Sequence, residues 1–218
     1  MEIKYLGHSS FRIKGKKAVV VTDPFDPDMV GLKFPGVDAD IITVSHEHDD
    51  HNAADRVQGR SGKQPAVFRG PGEYEVNGVK IYGFRTYHDA QQGGERGTNT
   101  VYRMVVDDVA MLHCGDLGHL IDDALLEEIG EINILFVPTG GVYTISEKDA
   151  AKVARQVDPN IIIPMHYRVN GLKESFNGLT PVDAFLKEMD KTSAPENKLV
   201  ISKDTLPDEI SVVVLTAS

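Results

Sequence analysis

The sequence contains a single cysteine, no tryptophan, and only 23 lysine and arginine residues against 33 aspartate and glutamate residues. One cysteine excludes an intramolecular disulfide. No stretch reaches the ~18 apolar residues that a membrane-spanning helix needs. The N-terminal Met-Glu-Ile-Lys-Tyr also lacks the apolar core of a signal peptide. These absences predict a cytoplasmic protein with no membrane partner.

The excess of acidic residues gives a formal net charge of −10. Because such a chain repels a polyanion on average, nucleic acid is not an expected partner. We expect a small-molecule substrate, which could still be anionic where it meets bound cations. A length of 218 residues is enough to bury one core, so we expect one domain over residues 1–218. The sequence leaves the oligomeric state open, a homo-oligomer included.

The most informative segment is His-Glu-His-Asp-Asp-His at residues 46–51. It follows the apolar run Ile41–Val44, which is typical of a buried strand, so the polar cluster lies where a strand opens into a loop. Imidazoles and carboxylates together are ligands of first-row transition metals. If the chain stays extended, His46 and His48 point to one side and can share an ion. The last two residues of the hexapeptide could serve a second ion after a turn. The alternative is a solvated, histidine-rich loop.

Four further polar positions are candidates for the same site. Three end strand-like runs and the fourth lies in a Gly-His-Ser-Ser segment; they are His88, Asp116, His166 and His8. Taken singly, each is most simply an ordinary strand-end residue. Beside the hexapeptide, three of them acting as metal ligands is the better interpretation, and His8 is a candidate to hydrogen-bond a ligand.

The sequence resembles the metallo-β-lactamase-fold superfamily in the ordered set His46-x-His48-x-Asp50-His51, His88, Asp116 and His166. The resemblance covers nearly the whole chain and implies an α/β fold, a four-layer αββα sandwich. Three shorter motifs are similar to a small stand-alone branch of metal-dependent hydrolases that includes ascorbate-6-phosphate lactonase. They are Gly7-His8-Ser9-Ser10, Thr22-Asp23-Pro24 and Pro164-Met165-His166-Tyr167.

The resemblance also implies a set of roles. The first ion is held by His46, His48 and His88, and the second by Asp50, His51 and His166. Asp116 bridges the two ions, and Asp23 supports the metal loop from behind. The cofactors would be two divalent cations, zinc first and otherwise manganese, iron or nickel. The implied enzyme is a metal-dependent hydrolase. Its metal-bridging hydroxide, formed because the cations lower the pKa of a shared water to about 7, cleaves a small ester, lactone or phosphodiester. Asp50 is also a candidate catalytic residue.

Two departures from relatives narrow the activity. True β-lactamases of this fold place a cysteine near the second metal, where this chain has Asp116, so β-lactam hydrolysis is not the leading activity. Flavin-dependent di-iron reductases have glutamate where this chain has His48, which disfavours a redox role. A di-iron redox enzyme on the same fold and a metal-stabilised scaffold with little catalysis remain the alternatives.

Three more residues are candidates for substrate chemistry. His119 could donate a proton to the leaving group, or it could merely pack at the entry of a helix. Arg96 and Arg168 could bind an anionic part of the substrate, because a guanidinium matches carboxylate and phosphate. The alternative for both is a solvated surface arginine.

Apolar patterning predicts strands followed by helices and then strands again. Asn77-Gly78 is the strongest hairpin signal, between strands at Glu73–Val76 and Val79–Phe84. Residues 24–38 are predicted as a long loop that borders the site. Helices are predicted at Ile121–Ile129, after Ser146 and at Pro181–Met189. The terminal strands are predicted at Leu199–Ser202 and Ile210–Leu215.

Overall fold

The computed structural model describes residues 1–218, in which two large β-sheets face each other. The strands are β1 (Glu2–Gly7), β2 (Ser10–Lys14), β3 (Val19–Thr22), β4 (Asp38–Ala39), β5 (Ile41–Val44), β6 (Gln58–Gly59), β7 (Ala66–Arg69), β8 (Gly72–Val76), β9 (Val79–Tyr87), β10 (Thr98–Val106), β11 (Val109–His113), β12 (Ile134–Pro138), β13 (Ile161–Met165), β14 (Leu199–Val200) and β15 (Ser211–Val212). The α-helices are α1 (Pro27–Val30), α2 (Asp123–Ile129), α3 (Glu147–Val157) and α4 (Val182–Glu188). Short 3-10 turns occur at Ala54–Arg56, Arg60–Gly62, Glu174–Phe176 and Lys203–Thr205.

Each large sheet joins an antiparallel part to a parallel part. The first sheet has the order β14-β1-β2-β3-β5-β7, with β5 parallel to both of its neighbours. The second has the order β15-β13-β12-β11-β10-β9-β8 and is parallel from β11 to β15. In parallel strands the carboxyl ends share one edge of a sheet, and loops at that edge are where α/β folds bind ligands. β4 and β6 form a separate parallel pair.

The main core lies between the two sheets and continues beneath α3. A cluster of 42 buried residues joins Ile3 and Phe11 of the first sheet to Met104 and Phe136 of the second. A second cluster of 7 buried residues covers the opposite face of the first sheet. The strand β5 contributes to both, which explains why its sequence is a continuous apolar run rather than an alternating one.

The outer layer over the second sheet is helical. Ser146 caps α3, because its hydroxyl accepts the N–H of Asp149 at 3.2 Å. The buried face of α3, which includes Ala150 and Ala154, packs into the main core. Over the first sheet the outer layer is thinner and consists of short segments around Phe34 and Val37. The layers form the α/β sandwich that the sequence predicts.

The predicted hairpin is confirmed. β8 and β9 pair so that Val76 faces Val79, and Asn77 and Gly78 between them have φ of +52° and +78°. Positive φ at both central residues is what a two-residue hairpin turn requires. No helix in the structure has the length and apolar character needed to cross a bilayer.

Several predicted elements differ from the observed ones. Residues 24–38 are not entirely loop, because α1 begins after Asp26, whose carboxylate accepts the N–H of Asp28 at 2.8 Å. The helix predicted from Ile121 begins at Asp123, since Asp122 caps it. The two terminal strands are only two residues long, and each lies at the edge of its sheet.

The condition on which His46 and His48 were expected to share one side, an extended chain, is not met. β5 ends at Val44, and residues 45–51 form bends and turns rather than an extended segment. The N–H of His51 bonds the carbonyl of His48 at 2.8 Å, which closes the turn. Folding the segment back brings His46, His48, Asp50 and His51 to one place, which an extended strand would not do.

Candidate metal centre

The seven side chains predicted as metal ligands converge where strand ends of the two sheets meet. The hexapeptide follows β5, His88 follows β9, Asp116 follows β11 and His166 follows β13. Together with His8, which was not among the seven, their ligand atoms form three overlapping groups, and within each group all atoms lie within 4.8 Å of one another. The groups are His46, His48 and His88; His46, His51 and Asp116; and His8, Asp50, His51 and His166.

Asp116 is the centre of this cluster. Its Oδ2 lies 3.2 Å from His88 Nε2 and 3.3 Å from His166 Nε2. Its Oδ1 lies 3.3 Å from His51 Nε2. One carboxylate therefore contacts imidazoles of both outer groups, which is the position that a ligand shared by two ions would occupy.

The cluster contains buried polar atoms that have no hydrogen-bond partner. They include Nε2 of His46, His51 and His166 and Oδ1 of Asp116, because the 3.3 Å contacts between Asp116 and the rings of His51 and His166 lack hydrogen-bond geometry. Each such atom costs about 1–3 kcal/mol when it is left unsatisfied. Nitrogen and oxygen donors at this spacing suit divalent zinc, manganese, iron or nickel. The residues therefore fit metal ions, which would satisfy the atoms that the protein leaves free.

The protonation of the cluster points the same way. Burial lowers the pKa of His46 to about 3, so its imidazole is neutral at physiological pH and keeps a lone pair for a metal. Burial also opposes charge on His51, but the carboxylates of Asp116 and Asp50 outweigh it and raise the pKa of His51 well above its usual value. The carboxylates of Asp116 and Asp50 thus favour a positive charge beside them. Either a proton on His51 or a bound metal ion can supply that charge.

Asp23 orients two of the imidazoles from below. Its Oδ2 lies 2.9 Å from His51 Nδ1 and accepts the Ser45 hydroxyl at 2.6 Å. The same Ser45 oxygen lies 2.9 Å from His46 Nδ1. With Nδ1 engaged in this way, each ring turns its Nε2 toward the cluster. The sequence analysis missed Ser45, although its position directly before the hexapeptide was the available signal.

His8 contacts the cluster from the β1–β2 turn. Its Nε2 lies 3.1 Å from Asp50 Oδ2, and its ring centroid lies 4.1 Å from that of His166. Three residues here have left-handed backbone conformations, with φ of +56° at His8, +38° at Asp23 and +52° at His166. Such conformations cost about 1–3 kcal/mol each outside glycine, and they concentrate at functional sites.

Asn99 holds the Asp116 segment and was also missed. Its Nδ2 donates to Thr86 Oγ1 at 2.8 Å and to the Cys114 carbonyl at 2.9 Å. Its Oδ1 accepts the backbone N–H of Asp116 at 3.0 Å. Nothing in the sequence marks this residue, because its partners come from β9 and from the segment after β11.

The cluster opens to solvent at His48, the exposed member of the set. A pocket of about 380 Å³ is lined by carboxylates and imidazoles of the cluster together with Met29, Tyr143 and Phe176. A second pocket, of about 390 Å³, reaches His46 and His48. Arg96 lines both pockets. A small molecule can therefore reach the cluster.

Two residues singled out from the sequence lie away from these pockets. His119 Nε2 accepts the backbone N–H of Tyr87 at 3.1 Å, and its Nδ1 lies 2.7 Å from the Leu120 carbonyl. Both ring nitrogens are thus engaged, and neither is free to protonate a leaving group in this conformation. Arg168 lines a different depression, with Tyr5 and Tyr167, and not the pockets at the cluster.

Comparison with known proteins agrees with this fold. The β-lactamase superfamily domain matches residues 2–166. A solved structure from Thermotoga maritima, of the metallo-β-lactamase superfamily, is 40% identical, covers 98% of this chain and 97% of its own, and has a TM-score of 0.81. A UPF0173 metal-dependent hydrolase of Staphylothermus marinus is 30% identical over 92% of this chain and 95% of the relative. Another, of Thermococcus onnurineus, is 28% identical over 96% of this chain and 98% of the relative. The chain therefore belongs to the β-lactamase superfamily, with the metallo-β-lactamase fold, and is a metal-dependent hydrolase of that superfamily.

Proposed function

We propose that the chain is a dinuclear hydrolase, a single domain over residues 1–218, that cleaves a small ester, lactone or phosphodiester. The observation that supports this most is the set of buried ring nitrogens without hydrogen-bond partners around Asp116. Buried ring nitrogens without partners would destabilise a scaffold that binds no metal. A metal-dependent hydrolase needs such free nitrogens as metal ligands.

In this proposal one cation is held by His46, His48 and His88, and the other by Asp50, His51 and His166. Asp116, whose carboxylate lies near imidazoles of both sets, would be available to both. The Thermotoga maritima relative is described as zinc-dependent, so zinc is the first candidate. Manganese, iron or nickel suit the same donors. When bound, such a pair of cations would lower the pKa of a water to near neutral pH, and the cations would also polarise the substrate oxygen.

The chain's own residues prepare the site for this chemistry. Asp23 and Ser45 set the ring orientations of His51 and His46, so that no rotation of these rings is needed when substrate arrives. Met29 and Phe176 provide apolar wall beside the carboxylates and reduce the water around the reacting bond.

Asp50 is the candidate for orienting the attacking water. Burial works against its ionisation, but His51 and His8 outweigh burial and hold the pKa of Asp50 below its usual range. It therefore stays an anion, with Oδ2 fixed by His8 at 3.1 Å. A fixed carboxylate that lines the pocket can accept a hydrogen bond from water and direct its lone pair at the substrate.

Elemental analysis of the native protein, followed by a hydrolysis screen, tests the proposal. The screen contains p-nitrophenyl acetate, γ-butyrolactone and bis-p-nitrophenyl phosphate. We expect about two divalent ions per chain, turnover of at least one compound, and loss of turnover in His48→Ala but not in the control Asp208→Ala, an exposed carboxylate far along the sequence from the cluster. A metal-loaded protein that is inert throughout the screen would make it a scaffold. Bound iron with a visible absorption band and no hydrolysis would make it a redox protein.

A further inference from the structure

Three arginines surround the pocket of about 390 Å³ that reaches His46 and His48; they are Arg69, Arg85 and Arg96. The only acidic residue in its lining is Glu47. The chain has a formal net charge of −10, whereas the lining of this pocket carries more positive than negative side chains. We call it the arginine pocket.

The three arginines are not equivalent. Arg69 is neutralised, because its Nη1 lies 2.7 Å from both carboxylate oxygens of Glu47. Arg85 and Arg96 form no ion pair with any carboxylate of the chain, and both are exposed. The arginine pocket therefore keeps about two uncompensated positive charges, because a guanidinium never loses its proton in a protein.

Arg96 is held in place by its own loop. Asp89, directly after His88, accepts the backbone N–H of Arg96 at 2.7 Å. The same carboxylate accepts the N–H groups of Gln91, Gly93 and Glu95 at 2.7, 2.9 and 3.0 Å. Four hydrogen bonds to one buried carboxylate make the loop rigid and fix it relative to His88. The guanidinium of Arg96 lies 5.1 Å from the Tyr143 ring centroid, which steadies its outer end.

Arg85 projects from a strand that is tied to the hexapeptide. It lies on β9 opposite Thr100 of β10. The N–H of Thr100 bonds the carbonyl of Ser45 at 2.8 Å, directly before His46. The backbones that carry Arg85 and Arg96 are thus both anchored to segments that carry cluster histidines.

We propose that Arg85 and Arg96 bind an anionic group of the substrate, a carboxylate or a phosphate, in the arginine pocket while the scissile bond lies over the cluster. The proposal rests on the hydrolase function proposed above and adds the chemical class of its substrate. Guanidinium groups bind both kinds of anion through paired N–H donors. Glu47 does not compete for them, because Arg69 occupies it.

A matched pair of substrates tests the proposal. p-Nitrophenyl acetate is neutral, and mono-p-nitrophenyl succinate has the same leaving group with a free carboxylate. The p-nitrophenyl ester of 3-phosphonopropionate replaces that carboxylate with a phosphonate. The measured quantity is the ratio of kcat/KM for each anionic ester to kcat/KM for the neutral one. It is compared in the native protein, Arg85→Gln, Arg96→Gln and the double variant.

We expect the native protein to prefer at least one anionic ester, and the double variant to lose that preference by ~10-fold or more, since each guanidinium–anion contact is charge-assisted. The larger ratio identifies the anion as carboxylate or phosphate. Arg155→Gln is the control, because Arg155 bonds the Glu188 carbonyl at 2.6 Å, away from the arginine pocket, and should keep the native ratio. Hydrolysis without preference for an anionic ester, or a preference that survives in the double variant, would overturn the proposal.

Calorimetric titration with inorganic phosphate and with succinate separates this proposal from the hydrolase function. We expect the Kd of at least one of these anions to rise ~10-fold or more in the double variant of the metal-loaded protein. If the native protein hydrolyses none of the esters, the hydrolase function fails, and the titration still decides the arginine pocket. Equal affinity in native protein and double variant means that these arginines are only solvated surface residues.

Discussion

Asp23 Oδ2 lies 2.9 Å from His51 Nδ1, and both side chains are fully buried. The carboxylate fixes which ring nitrogen carries the hydrogen and leaves Nε2 directed at Asp116, 3.3 Å away. We therefore expect Asp23→Ala to weaken metal affinity by about 10–100-fold, the usual effect of removing a carboxylate behind a metal-binding histidine. Titration against a competing chelator measures this affinity.

Ser45→Ala separates the two branches of the Asp23 network. It removes the contact to His46 Nδ1 but leaves that to His51. A smaller loss than in Asp23→Ala is the expected result, and Asp208→Ala should bind metal as the native protein does. Equal affinity in all three variants and the native protein would show that the network does not orient ligands.

His119→Ala tests a role that the sequence alone suggests. Because both ring nitrogens contact backbone groups, we expect kcat to fall by less than ~10-fold, short of the 10²–10⁴-fold loss typical when a general acid is removed. The measurement is kcat for a series of aryl esters whose leaving groups differ in pKa. A loss that grows as the leaving group becomes more basic would restore His119 as the proton donor.

Much of the site could be predicted because its signals are local. Six consecutive residues specify four of the candidate ligands, and His88, Asp116 and His166 each end a strand-like run. The alternation of strand and helix patterns is consistent with the fold class, but the resemblance to the metallo-β-lactamase-fold superfamily supplied the αββα sandwich. The extended chain considered for His46 and His48 does not occur, since the strand ends at Val44 and the segment turns there, earlier than the turn expected before Asp50 and His51.

Features that depend on distant contacts could not be predicted. β7 is only four residues long with alternating exposure, and it becomes a strand by parallel pairing with β5. Arg85 is an ordinary exposed strand residue in sequence, and only the fold brings it into the lining of the same pocket as Arg96. Arg168 was singled out for following His166, but the chain turns its position away from the cluster pockets.

Gly118→Ala tests the close approach of the segment after Asp116 to the loop after His88. A Cβ at Gly118 would collide with the backbone of His88 and Asp89, which cannot rotate away. We expect a loss of about 1–3 kcal/mol in the free energy of unfolding, as in other overpacked sites. Gly36→Ala is the control, because a Cβ there meets no atom within 4 Å. Equal stability of the two variants in urea denaturation would contradict the packing described here.

Cys114 should be unreactive in the folded protein. It is fully buried, and burial raises the pKa of its thiol, so the thiolate that reacts with labelling reagents is scarce. We expect no labelling by a disulfide reagent such as DTNB at pH 8 in native protein and one equivalent after unfolding in guanidinium. Rapid labelling of the native protein would mean that the segment leading to Asp116 opens readily.

The most direct test of the dinuclear centre is anomalous X-ray diffraction from crystals of the native protein, measured at the absorption edge of the metal that elemental analysis finds. We expect two anomalous peaks, one against His46, His48 and His88 and one against Asp50, His51 and His166, with Asp116 in contact with both. Data from His166→Ala should keep the first peak and lose the second. A single peak, or peaks elsewhere on the chain, would contradict the centre proposed here.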